Sequence, residues 1–112
     1  MTCNGPFIGI VVNNFDPEML GRVQITVPAV ADQPLSWART MTPSTGSGYG
    51  FYCLPEVGDE VLVEFLEGDF DQPLVLGGLW NVSNRPPTAL PGQVVFRTRG
   101  GHSIVFDDAE GA

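Results

Sequence analysis

Leu54-Pro-Glu-Val-Gly-Asp-Glu-Val-Leu-Val-Glu-Phe-Leu-Glu-Gly-Asp-Phe-Asp-Gln-Pro-Leu-Val-Leu-Gly-Gly-Leu-Trp80 is the stretch that decides the fold. Its first residues form a turn, because Gly58 brings backbone freedom and Pro55 has no N–H to give a central strand. The residues after the turn alternate. Val61, Val63 and Phe65 share one face, and Glu60, Leu62, Glu64 and Leu66 share the other, the period of a half-buried strand. Glu67-Gly68-Asp69 then turns the chain into a second apolar run at 74–79, closed by Trp80. The stretch holds no nucleophile beside a base and no phosphate-binding lysine. It reads as scaffold, in a chain whose work is to hold a shape and dock.

Upstream, residues 7–12 form an unbroken apolar, largely β-branched run, the pattern expected of a strand buried on both faces. Asn13-Asn14-Phe15-Asp16-Pro17 interrupts it with turn-forming residues. Residues 22–27 alternate, with Val23, Ile25 and Val27 inward and Arg22, Gln24 and Thr26 outward, until Pro28 stops the strand. Residues 35–41 are expected to form a third strand, with Trp37, Arg39 and Met41 on one face. The stretch from Pro43 to Pro55 holds three glycines and two prolines, so it is read as loop with no helix. Five short strands with one long connection between the third and fourth predict an all-β fold, a five-stranded OB-like Greek-key barrel over residues 5–80. Residues 81–92, with three prolines and no periodicity, read as a semi-rigid linker. Residues 93–112 read as a short C-terminal β hairpin, its strands at 94–99 and 103–107 joined by Gly100-Gly101 as a two-residue turn. A lone hairpin is marginal in water and must pack on something.

Composition narrows the function classes. A chain of 112 residues supports one domain and a short extension. Thirteen acids stand against five arginines and no lysine, a net charge of −8. Nucleic-acid affinity comes mainly from lysine and arginine neutralising phosphates, so nucleic acid is not expected as a partner. The same charge disfavours an anionic membrane surface. No charged-then-apolar leader and no apolar run of spanning length are present, so a soluble protein without a Sec address is expected. The two cysteines, Cys3 and Cys53, match no metal or redox spacing.

Isolated chemical motifs resolve into scaffold readings. Gly46-Ser-Gly-Tyr-Gly50 lacks the Lys-Ser/Thr that a phosphate loop needs. Glu67, Asp69 and Asp71 lack the closing glutamate of a calcium loop and read as solvated turn charges. His102 is the only histidine, so one chain offers no histidine site, and it reads as a hairpin-turn residue. The aromatics Trp37, Tyr49, Phe51, Tyr52 and Trp80 have no basic neighbours to make a base-stacking platform, and are assigned to core filling and subunit contacts. Arg22 and Arg39 are expected to pair with Asp59, Glu60 or Glu64, within or between subunits. No catalytic residue, cofactor or metal site is expected.

Gly9-Ile-Val-Val-Asn-Asn-Phe-Asp-Pro17, Leu20-Gly-Arg-Val-Gln-Ile-Thr-Val-Pro28, Ser36-Trp-Ala-Arg39, Gly48-Tyr-Gly-Phe51, Leu54-Pro-Glu-Val-Gly-Asp-Glu-Val-Leu-Val63 and Glu67-Gly-Asp-Phe-Asp-Gln-Pro-Leu-Val-Leu-Gly77 follow one another in order. Together they resemble the OB domain of contractile-tail central spike proteins. That group covers phage baseplate assembly protein V, the valine-glycine repeat spike of type VI secretion, and the spikes of extracellular contractile injection particles. Arg97-Thr-Arg-Gly-Gly-His-Ser-Ile-Val-Phe-Asp-Asp108 resembles the start of the β-prism in such proteins.

The resemblance implies a homotrimer, assembled in the cytoplasm of the producing cell and carried in a phage tail or injection particle. It would form a collar between a baseplate hub protein on the tube side and a needle with its spike tip protein. A target membrane would be met only through the assembled needle. The sequence stops where the resemblance places the prism, so the puncturing part is expected in further sequence or on another chain. Val95, Phe96, Ile104, Val105 and Phe106 are the leading subunit-interface candidates, since one hairpin cannot hide them all. Tyr49, Phe51 and Arg39 join them. The alternative reading is an OB-fold module that binds an oligosaccharide or oligonucleotide.

Overall fold

The computed structural model describes residues 5–108. Its elements in chain order are β1 (Phe7–Asn13), β2 (Gln24–Thr26), β3 (Arg39–Thr40), β4 (Glu60–Phe65), a single 3₁₀ turn (Leu66–Gly68), β5 (Pro73–Gly78), β6 (Gln93–Arg97) and β7 (Ser103–Asp107). The chain separates into two units, 1–79 and 80–112. The first holds a five-stranded curled sheet and the second a two-stranded hairpin, with almost no helix among the described residues.

The sheet runs in the order β2-β1-β4-β5-β3. Every pairing is antiparallel except β3 with β5, which is parallel. Its two edges meet at one bridge, Val23 with Ala38. There the Val23 N–H donates to the Ala38 carbonyl at 2.9 Å, and the Ala38 N–H donates back at 2.7 Å. Three further bonds extend this seam. Leu35 N–H donates to the Ile25 carbonyl at 2.9 Å, Thr40 Oγ1 to the Gly21 carbonyl at 2.9 Å, and Gln24 Nε2 to the Leu35 carbonyl at 3.3 Å. A single continuous sheet that closes on itself leaves few unpaired backbone groups.

The core is made by the inward halves of the strands. Val11, Val23, Ile25, Val27, Ala38, Val61, Val63, Phe65 and Val75 are buried. The alternation read at 22–27 and 60–66 therefore holds: β4 buries every second residue. One end of the barrel is filled by Phe7, Phe65 and Phe70, whose rings meet edge to face with centroids 4.9–6.4 Å apart. Gly9 faces the same interior, in the close approach between β1, β2 and β4. A Cβ there would lie 3.0 Å from Val63 Cγ2 and 3.2 Å from the Thr26 carbonyl oxygen.

Several expectations need correcting. β1 is buried on one face only: Gly9 and Val11 point inward, while Ile8 and Val12 are exposed. It is central in the hydrogen-bonded sheet, pairing with both β2 and β4, yet Ile8 and Val12 on its outer face remain exposed. The third strand is two residues long rather than seven, because it only bridges from the Ala38 seam to β5. The aromatics Tyr49, Tyr52 and Trp80 fill no core and are largely exposed. The hairpin turn is longer than two residues. β6 ends at Arg97 opposite Ser103, and the turn is closed by Gly101 N–H donating to the Thr98 carbonyl, with Gly101 at φ 98°. Gly100-Gly101 does mark the turn, but only Gly101 takes the left-handed conformation that glycine permits. The stretch 43–55 is loop, as read, with one small bridge between Thr45 and Gly50. Cys53 is exposed, and Cys3 lies outside the described residues, as do the last four residues of the expected hairpin segment.

The packing around Gly9 and Ile25 yields a direct test. Gly9→Ala forces a methyl against Val63 and the β2 backbone and should cost about 1–3 kcal/mol. Ile25→Ala, which opens a cavity at a fully buried position, should cost about 2–5 kcal/mol. Urea denaturation of each variant checks both values.

Candidate assembly surfaces

The connection from β1 to β2 is organised by one carboxylate. Asp16 is buried among the tip residues it supports. Its Oδ1 accepts from the Glu18 N–H at 2.9 Å and its Oδ2 from the Leu20 N–H at 3.1 Å. Arg22 closes the loop with a two-pronged pair, Nε to Oδ2 at 2.8 Å and Nη2 to Oδ1 at 2.9 Å. This planar fork against a carboxylate is the geometry in which arginine is strongest. The Arg22 guanidinium also lies over the Trp37 ring, 5.8 Å from its centroid, and reaches Glu18 at 3.4 Å. The hydrogen bond from Arg22 holds the Asp16 carboxyl far below the usual carboxylate range, against an opposing push from burial, and Asp16 in turn raises the Arg22 guanidinium. Arg22 thus pairs with Asp16 and Glu18, and not with Asp59, Glu60 or Glu64. Arg39 is exposed and forms no salt bridge among the described residues.

With its polar groups satisfied from within, the loop turns its apolar side chains outward. Phe15, Met19 and Leu20 are all exposed, and Met19 sits at φ 56°. Beside it, Leu20, Arg22, Trp37, Arg39, Asp71 and Pro73 contribute to a shallow cleft of about 350 Å³. The 43–52 loop forms a further apolar tip. Gly46 N–H donates to the Tyr49 carbonyl and Phe51 N–H to the Ser44 carbonyl, each at 2.9 Å. That small turn leaves Tyr49, Phe51 and Tyr52 exposed, with the Tyr49 ring lying where a Gly46 side chain would stand.

In the second unit, segment 81–92 is tied to the hairpin. Thr88 Oγ1 donates to Gln93 Oε1 at 2.7 Å, and Asp108 N–H donates to the Gly92 carbonyl at 2.8 Å. The β6–β7 register places Val94 opposite Phe106 and Phe96 opposite Ile104. These four side chains share one face, and between 43% and 64% of each is exposed. Val95 and Val105 pair on the other face, between Gln93 with Asp107 and Arg97 with Ser103. The expected interface residues of the hairpin therefore divide across two faces: Phe96, Ile104 and Phe106 on the apolar one, Val95 and Val105 on the mixed one.

The surfaces missed from sequence are Ile8 and Val12 on the outer face of β1, the tip residues Phe15, Met19 and Leu20, and Val94. Their signal was present as the unbroken apolar run 7–12 and as Asp16-Pro17 followed by Gly21-Arg22, a turn anchored by its own aspartate. None of these surfaces assembles a nucleophile with a base. Asp69, which might have suggested a cation site, uses its carboxylate to accept the Asp71 N–H and Gln72 Nε2. What the arrangement offers is contact: exposed apolar side chains on backbone that is already hydrogen-bonded.

A small curled sheet of this order, with a parallel β3–β5 pair, has the architecture of an OB domain. Residues 7–80 match the model of the type VI secretion system/phage-baseplate injector OB domain, and the chain belongs to that family. Its relatives include the actin cross-linking toxin VgrG1 of Vibrio cholerae, 36% identical over 96% of this chain and 11% of that protein. The spike protein VgrG3 of the Vibrio cholerae type VI secretion system is 33% identical over 97% of the chain and 12% of the relative. The corresponding VgrG2a of Pseudomonas aeruginosa is 34% identical over 85% and 12%. The chain thus spans about a tenth of the length of these curated relatives.

The Asp16 clamp predicts a pH dependence. Its folded carboxyl titrates below the unfolded value of about 3.9, so its contribution is complete above that pH and is lost as pH falls toward the folded value. Asp16→Asn should lower stability at neutral pH and leave a shallower decline below about pH 4 than the wild type shows. Urea midpoints measured from neutral to strongly acidic pH check the sign.

Proposed function

We propose that this chain is the collar element of a central spike in a contractile injection machine, working as a homotrimer. It would carry load along the threefold axis and join a baseplate hub protein on the tube side to a needle and its spike tip protein, with no bond chemistry of its own. Assembly would take place in the cytoplasm of the producing cell, and a target membrane would be met only through the completed needle. The observation that carries the reading is the hairpin face of Val94, Phe96, Ile104 and Phe106, open on a two-stranded sheet too small to be stable alone. The spike relatives support it, as does the family of the barrel. Three copies together would carry −24 from −8 each, so an apolar contact is required to outweigh their repulsion.

On this reading, sedimentation velocity should give the chain a mass three times its 12.0 kDa. Phe96→Ser with Phe106→Ser should shift it to monomer, while the thermal transition of the barrel is retained. A wild-type monomer at every concentration would count against the proposal, as would a double variant that still assembles like the wild type.

A further inference from the structure

The charge of the chain is unevenly divided. Residues 1–79 carry ten carboxylates and two arginines, whereas residues 80–112 carry three of each. The whole excess of −8 therefore sits on the barrel, and the hairpin unit is neutral. Within that neutral unit the arginines are gathered. Arg85, Arg97 and Arg99 line one cleft of about 410 Å³, together with Trp80 and Phe96. All three arginines of the unit are in it.

We propose that this cleft receives the β4–β5 turn of a second copy of the chain. In this way the arginine-lined cleft of one protomer grips the acidic barrel of its neighbour. The inference rests on the self-assembly proposed above and names the contact that orders it. Guanidinium forks beside aromatic rings suit carboxylates carried on a partly apolar segment, because the charges pair and the rings cover the neighbouring side chain. The β4–β5 turn has that chemistry. Leu66, Glu67 and Asp71 are all exposed on it, and Glu67 sits at φ 54° in the tight turn. The occupant is assigned to a second copy because the complementary charge is encoded on the same chain. Phe96 also belongs both to the cleft and to the apolar hairpin face, so one docking event would cover both. A nucleic acid would meet the same arginines, but on a chain whose net charge is −8.

A charge swap tests the contact in the full chain, read by sedimentation velocity across a range of protein concentration. Arg97→Glu with Arg99→Glu, and separately Glu67→Arg with Asp71→Arg, should each raise the concentration of half-association by about tenfold or more. Carrying all four changes together should restore association toward the wild-type value, as a coupled pair requires. If the wild type assembles and either double variant assembles equally well, or if the four-fold variant is not rescued, the contact is wrong while self-assembly stands. A wild type that is monomeric throughout overturns both. Tight binding of a labelled single-stranded oligonucleotide by the wild type, lost in the arginine variant, would reassign the cleft to nucleic acid and overturn the proposal.

Discussion

The barrel depends on a seam centred on a single bridging residue pair. Val23 and Ala38 exchange two backbone hydrogen bonds, and without them β2 and β3 would be open edges of a curled sheet. A bridge that short cannot hold itself against the entropy of its two strands. It is held by its flanks. Asp16 fixes Arg22 through two of its guanidinium nitrogens, Arg22 lies over Trp37, and Arg22 and Trp37 stand immediately before Val23 and Ala38. Thr40 ties the far side to Gly21. The buried carboxylate thus acts at a distance from its own loop: by setting the entry to β2 it sets where the sheet closes.

Closure of so small a sheet has a consequence for the surface. Among the described residues its interior is filled by nine buried apolar residues, one of them Phe65, with Phe7 and Phe70 packed against it, while many other apolar side chains stay outside. They lie on the outer face of β1, on the β1–β2 tip, on the 43–52 loop and on one face of the hairpin. Individually such residues are ordinary on a protein surface, but four aligned on a bare two-stranded sheet are not. On the proposed trimer such faces would be covered by other copies.

What could be read in the sequence was whatever burial on a single face writes into it. Val23, Ile25 and Val27, and again Val61, Val63 and Phe65, alternate because each of those strands turns one face to the core. The run at 7–12 misled because its outer residues are apolar although the single chain does not bury them. The third strand was overextended because two residues are too few to show a period, and its position comes from pairing with β5 and from the seam. The partner of Arg22 was missed because it comes from loop geometry, six residues back, and not from the opposite strand. The arginine cleft was equally illegible, since Arg85 joins Arg97 and Arg99 only through the way segment 81–92 folds against the hairpin.

The central claim is that the hairpin is completed by other copies of the chain. Amide hydrogen exchange, followed by mass spectrometry over a wide range of protein concentration, addresses it most directly, because it reads local opening in each segment separately. The account predicts that amides in 93–107 exchange fast in dilute solution and become protected as concentration rises, while those of β4 and β5 stay protected throughout. Hairpin exchange that is the same at every concentration would contradict it.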